Sequence, residues 1–251
     1  MSRILTACLS LVLFTVCVVA AEPPEVAASD PRAVEIAQAV LEKLGGQAGW
    51  DATRFVRWKF FGGRQHYWDK QTGDVRIEMA ERLDDAGEVE RPALLILMNI
   101  DTKLGRVLAA GEEVRDREKL DEYLTLGHKT WINDSYWMFM PYKLLDPGVT
   151  LKYSGERELA DGRLADVLDL TFGDGVGYTP QNRYEVFVAR DSGFIEQWAF
   201  FSKADETEPR FTMPWADWRK FARIWLATDH GDDKDWDIAI HAVLPRSVFT
   251  E

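Results

Sequence analysis

The sequence predicts a mainly β fold, antiparallel and meander-like, with roughly ten or more strands, a leading helix and one inserted helix. Three observations carry this. From Thr53 onward apolar residues recur every second position. Turn-forming pairs built on Gly, Asp and Pro punctuate that alternation at short intervals. Only two stretches show helical spacing instead.

Residues 1–21 stand apart from the fold. Arg3 gives a positive start, residues 4–19 form an apolar run, and Val19-Ala20-Ala21 supplies a small-residue cleavage site. This is the pattern of a secretory signal peptide cut after Ala21, and the run falls short of the ~20 apolar residues that span a bilayer. Cys8 and Cys17 are the only cysteines, so the mature chain has no disulfide and no thiol ligand. Residues 22–30, rich in Pro and Ala, read as a flexible lead. One domain then runs over 31–251.

Asp30-Pro31 marks a helix start, and Val34, Ala37, Leu41 and Leu44 form its apolar stripe, up to Gly45-Gly46. Val56, Trp58 and Phe60 then alternate with Arg57 and Lys59, and Gly62-Gly63 turns the chain into a short strand at 66–68. Val75, Ile77 and Met79 make the next half-buried strand. A turn at 84–87 leads to strands at 93–100 and 106–110. Leu120, Tyr123, Leu124 and His128 set an inserted helix from Arg117 to about Lys129. Strands at 136–144, 150–159, 164–172, 184–189 and 194–202 follow, then two or three more over 215–228 and 238–244.

Composition narrows the function. The 251 residues carry 42 acids against 30 bases, a formal charge of −12, and removing 1–21 takes away one more base. A chain this acidic is a poor partner for nucleic acid or anionic lipid. No later stretch is long and apolar enough for integral membrane insertion. His66, His128, His230 and His241 lack ligand spacing, no serine sits in a nucleophile elbow, and Gly173-Asp174-Gly175-Val176-Gly177 lacks the lysine of a phosphate loop. The aspartates at 229–237 depart from the EF-hand pattern and read as a solvated turn. Glu196, inside an aromatic strand, is the one acid whose setting could raise its pKa, although a partner arginine is the simpler expectation. No catalytic residue, metal or cofactor is expected.

The apolar signal is more specific. Residues 136–142, 55–61 and 198–201 are apolar on both faces of their expected strands, implying cover on each side. Trp58 with Phe60, Trp137 with Phe139, and Trp198 with Phe200 share strand faces two residues apart. These six residues are the candidate ligand-binding set, and a filled aromatic core is the alternative.

Asn133-Asp134-Ser135-Tyr136-Trp137, continuing through Met140-Pro141-Tyr142-Lys143-Leu144, resembles the Asn-Asp-x-Tyr-Trp…Met-Pro-x-Lys-Leu signature of an uncharacterised family of exported bacterial proteins. That family is similar to the periplasmic lipoprotein-localisation carriers of LolA-like fold. The resemblance implies a strongly curved, incomplete antiparallel barrel lidded by helices. It also implies a non-enzymatic periplasmic carrier, binding an acyl chain, lipid or lipoprotein on its concave face; a soluble monomer is the expectation beside it. A structural or interaction protein of the cell envelope and, more distantly, a hydrolase using scattered acids remain the other readings.

Overall fold

The computed structural model describes residues 28–61, 63–231 and 234–251, so the signal sequence and the cysteines lie outside the described residues. The chain opens with α1 (Pro31–Lys43) and α2 (Gly46–Ala52). The meander follows with β1 (Phe55–Phe60), β2 (Arg64–Asp69), β3 (Asp74–Met79), β4 (Arg82–Leu83), β5 (Val89–Arg91), β6 (Leu94–Asn99), β7 (Gly105–Ala109) and β8 (Glu112–Glu113). Helix α3 (Arg117–Phe139) and a 3-10 turn (Met140–Tyr142) interrupt it. It resumes with β9 (Val149–Glu158), β10 (Leu164–Phe172), β11 (Arg183–Ala189), β12 (Ile195–Phe201), β13 (Phe211–Pro214), β14 (Ala216–Phe221), β15 (Ile224–Asp229) and β16 (Ala239–His241), ending in a 3-10 turn (Arg246–Phe249).

Hydrogen bonding gathers these into a seven-stranded sheet of order β16-β1-β2-β3-β6-β7-β8 and a five-stranded sheet of order β13-β12-β11-β10-β9, with two short ribbons. Every pairing is antiparallel, and the curved sheet does not close into a barrel among the described residues. Alternation decides which face is inward. Val56, Trp58 and Phe60 on β1, Val75 and Ile77 on β3, and Ile96 on β6 are buried, while Arg57, Lys59, Arg76 and Glu78 face outward and are only partly covered. On the second sheet Leu168, Leu170, Val186 and Trp198 join the same core, so both sheets bury one continuous apolar mass. No helix of the described residues is long and apolar enough to cross a membrane.

Helix α1 buries Ala33, Ile36, Ala37 and Val40, a stripe turned from the expected one: Val34 and Leu41 are only partly covered, and Leu44, buried, caps the helix. Asp30 is its N-cap in position only. Its side chain accepts from Tyr153 N at 3.0 Å, and Ser29 Oγ accepts from Leu151 N at 3.0 Å, so the helix entry is tied to β9. Between α1 and α2 the chain turns at Gly45, where φ is +113°. A Cβ there would lie 2.2 Å from the Arg223 carbonyl oxygen, so only glycine lets the helix pair approach the β14–β15 ribbon.

Helix α3 corrects the sequence reading. The segment 136–144, expected as a strand, is the end of a 23-residue helix followed by the 3-10 turn, and the helix runs to Phe139 rather than to Lys129. Its buried positions Tyr123, Leu124, Gly127, His128, Trp131, Asp134, Ser135 and Met138 recur at steps of three and four. Apolar residues on its other side pack too, because the C-terminal half lies between the two sheets. A helix covered all round loses its polar stripe, and its sequence then reads like a strand with two buried faces. Gly127 has a role here: a Cβ would lie 2.9 Å from Ile96 Cγ2, so its absence lets α3 settle onto β6.

Candidate functional site

The helical correction rearranges the six aromatic candidates. Residues two apart on a helix diverge by about 200°, so Trp137 and Phe139 face different neighbours instead of sharing a face. Phe139 turns into the first sheet, with ring centroids 5.1 Å from Trp58 and 5.4 Å from Trp50. Trp137 turns toward the second, 4.3 Å from Trp198, 5.6 Å from Phe211 and 6.5 Å from Phe200. Phe60 lies 6.4 Å from Trp137. Ring contacts group Trp58 with Phe139, and Phe60, Trp198 and Phe200 with Trp137, and all six pack into one apolar core around α3. Trp58, Phe60, Phe139 and Trp198 are buried in it, whereas Trp137 and Phe200 reach the surface in part.

Only Trp137 of the six borders the open space that α3 leaves against the second sheet. This cleft of about 390 Å³ lies between the C-terminal half of α3, the segment 143–149, and the ends of β10 and β11. Trp131, Ile132, Tyr136, Val149, Phe172 and Tyr184 make its walls mainly apolar. Such a volume lies within the range of small-molecule sites, ~300–1,000 Å³.

The loop 173–182, between β10 and β11, forms one rim. It is the strand-connecting loop expected of the glycine run, and it contributes Val176, Gly177, Tyr178 and Thr179 to the cleft. Tyr178 is tied back to α3, its hydroxyl 2.6 Å from His128 Nδ1, with Lys129 Nζ 5.5 Å from its ring. Burial, with nearby Lys103 assisting, holds His128 below the usual imidazole pKa. Neutral His128 can therefore accept the Tyr178 hydroxyl proton in a hydrogen bond. At the other end Lys143 and Asp146 form an ion pair.

Turned toward the first sheet, Asp134 is fully buried in α3 and accepts from Arg64 Nε at 2.7 Å, Arg64 Nη2 at 2.8 Å and Asn133 Nδ2 at 3.0 Å. His66 Nε2 lies 2.8 Å from the same carboxylate, and the His66 ring stacks on Trp58 with centroids 4.6 Å apart. Burial pushes the His66 pKa down, so its neutral ring donates from Nε2. Burial alone would raise the Asp134 pKa, but the His66 and Arg64 hydrogen bonds outweigh it and hold the carboxyl below its usual range. This network fastens α3 to β2.

Glu196 has the arginine partner the sequence suggested: Arg163 Nη1 donates to it at 3.1 Å, and Ser192 Oγ at 2.5 Å. Among the described residues no three His, Cys, Asp or Glu side chains gather around a common point. The sequence reading missed Tyr136, Phe172, Tyr184 and Tyr178 as cleft residues. Tyr136 was visible in the aromatic run; the glycines at 173–177 were visible only as a strand-connecting loop.

No protein-family model and no curated protein matches the sequence. Among solved structures the chain is similar to a putative outer membrane lipoprotein-sorting protein domain from Vibrio parahaemolyticus, at 10% identity and TM-score 0.42, covering 87% of this chain and 96% of that one. It is similar to a DUF1329 family protein from Desulfovibrio piger, at 12% identity and TM-score 0.43, over 88% and 98% of the two chains. A LolA superfamily protein from Nitrosomonas europaea aligns at 13% identity and TM-score 0.37, over 86% and 97%.

Proposed function

We propose that this chain is an exported, single-domain, non-enzymatic binding protein of the periplasm that holds a hydrophobic ligand, such as the acyl chain of a lipid or lipoprotein, in the cleft beside α3. The observation that carries this reading is the apolar cleft of about 390 Å³ walled by aromatic side chains. Burying ten methylenes contributes ~8 kcal/mol at ~0.8 kcal/mol each, against an association cost of at least ~4 kcal/mol. The net of at most ~4 kcal/mol corresponds to a Kd no tighter than ~1 mM from chain burial alone, weak and reversible as suits cargo that must be released. The second reading, a structural protein with a filled core, is favoured by the full burial of Trp58 and Trp198.

Titration of delipidated protein with N-phenyl-1-naphthylamine, a neutral apolar fluorophore, separates the two. Saturable enhancement supports a binding cleft, and Thr179→Trp, at the exposed rim, should weaken it at least fivefold without unfolding the protein. Absence of saturable binding by wild type returns the filled-core reading.

A further inference from the structure

The acidic balance of the chain reverses along one ribbon. Between Trp218 and Thr228, on β14 and β15, lie Arg219, Lys220 and Arg223 and no acid. Arg219 is taken by Asp217, 2.5 Å away. Lys220 and Arg223 are exposed and form no ion pair among the described residues. Lys43, exposed at the end of α1, forms none either. It lies close by, because Leu44 O accepts from Trp225 N at 3.0 Å. The carboxylate of its neighbour Glu42 lies beside Gly46.

Three half-buried rings join these bases. Lys220 stands opposite Trp225 in the ribbon register, and Trp218, two residues before Lys220, shares that face. Phe194 stacks on Trp218 with centroids 5.0 Å apart and lies 5.6 Å from Trp225. Lys43 Nζ stands 4.8 Å over the Phe194 ring. Hydrogen bonds fix this frame. Tyr142 Oη donates to Trp225 O at 2.6 Å, and Trp218 Nε1 donates to Ile195 O at 2.9 Å. With its one side-chain donor used inward, Trp218 has only ring carbon left to offer.

Bases set among aromatic rings suit a wet anionic boundary with apolar depth behind it. Ammonium and guanidinium heads meet phosphates there, and ring bodies sit at headgroup level. The overall charge of −12 argues against such a partner, but it acts from a distance. At physiological salt exposed charges are screened beyond ~8 Å, so a docking face answers chiefly to the charges it carries.

We infer that the β14–β15 ribbon, with Lys43 and Phe194, docks this protein peripherally on a bilayer surface containing anionic phospholipid. The bases supply the attraction and the rings a shallow anchorage. This face is separate from the cleft beside α3, whose lining includes none of these residues.

Sedimentation of the full-length mature protein with lipid vesicles is the test. Vesicles of phosphatidylethanolamine and phosphatidylglycerol should bind it, and added salt should weaken that binding. Vesicles of phosphatidylcholine should bind about tenfold more weakly or less. Each base near an anionic surface is worth about fivefold. Lys220→Glu combined with Arg223→Glu should therefore weaken binding by about fiftyfold or more, with Tm unchanged because both side chains lie in solvent. Lys152→Glu combined with Lys203→Glu makes the same change of net charge at exposed positions outside the ribbon, and should keep the affinity within about threefold. Equal binding to both vesicle types, no binding to either, or equal loss in the two double variants overturns the inference. Binding of poly-glutamate in place of vesicles, lost in the ribbon variant, overturns it too and reassigns the face to an acidic protein. Vesicle binding by protein that takes up no N-phenyl-1-naphthylamine upholds the docking face while the cleft reading fails.

Discussion

Replacing Asp134 by alanine should cost this protein ~3–5 kcal/mol, the range for removing one member of a buried ion pair. The figure follows from what is left behind. His66, fully buried, keeps an Nε2–H with no acceptor, and its Nδ1, an acceptor, already has no donor; an orphaned buried donor alone costs ~1–3 kcal/mol. Arg64 loses two charge-assisted bonds, but its side chain is 37% exposed and recovers part of its hydration. The remainder is the cavity in α3. Asp134→Asn retains the shape and one acceptor oxygen, so it should cost less than half as much. Urea denaturation followed by tryptophan fluorescence measures both, with unchanged m-values required for the comparison. The same network sets the acid limb of stability. The folded pKa of His66 is lowered from 6.5, so the unfolded chain takes up the proton first and stability falls as pH drops below about 6.5. Asp134, with its own pKa lowered from 3.8, adds a further loss below about pH 4. A ΔΔG under ~1 kcal/mol for Asp134→Ala, or an unaltered profile from pH 7 to 5 in His66→Phe, would refute the account.

Gly45→Ala should abolish folding or cost more than ~3 kcal/mol, because the new Cβ meets the Arg223 carbonyl oxygen at 2.2 Å in a left-handed turn; circular dichroism and melting decide it. Gly127→Ala pits a helix-propensity gain of ~1 kcal/mol against overpacking of ~1–3 kcal/mol on Ile96, so a net loss of about 1 kcal/mol is expected by denaturation. Burial lowers the Lys70 pKa from 10.5 to about 8, where its ammonium lies 3.4 Å over the Trp50 ring. The unfolded chain therefore holds the extra proton between pH 8 and 10, and stability should rise with pH across that window. Lys70→Met should flatten the rise in a pH series of melts.

Most strands of the first sheet were legible because one face is covered and the other wetter, so Val56-Trp58-Phe60 and Val75-Ile77-Met79 carry their orientation in their spacing; β8, exposed on both faces, was not. Helix α1 was legible for the same reason at a different period. The second half of α3 was not. Packed between sheets it has no continuous polar stripe, and Asn133-Asp134-Ser135 resembles a turn although Asp134 is a buried anchor for β2. Helix α2 hides behind three glycines, and β13 at 211–214 is an edge strand whose residues stay largely exposed. The cleft was half legible. Trp137 was singled out through an incorrect strand, while Tyr136 beside it, Phe172 and Tyr184 come together only through the crossing of helix and sheet. No local pattern records that crossing.

The pairing of β1 with β16 bears on how the chain reaches this fold. Val56 sits opposite Ile240, roughly 180 residues later, and closing a loop of that length costs ~4–5 kcal/mol of chain entropy before any contact repays it. During synthesis β1 waits with one edge open until nearly all the chain has emerged. Folding that depends on so distant a partner is slow. A chain that cannot finish its sheet early stays pliable for longer, the condition under which a polypeptide can be threaded across a membrane. The open edge is also where a stalled or shortened product would pair with its neighbours and aggregate.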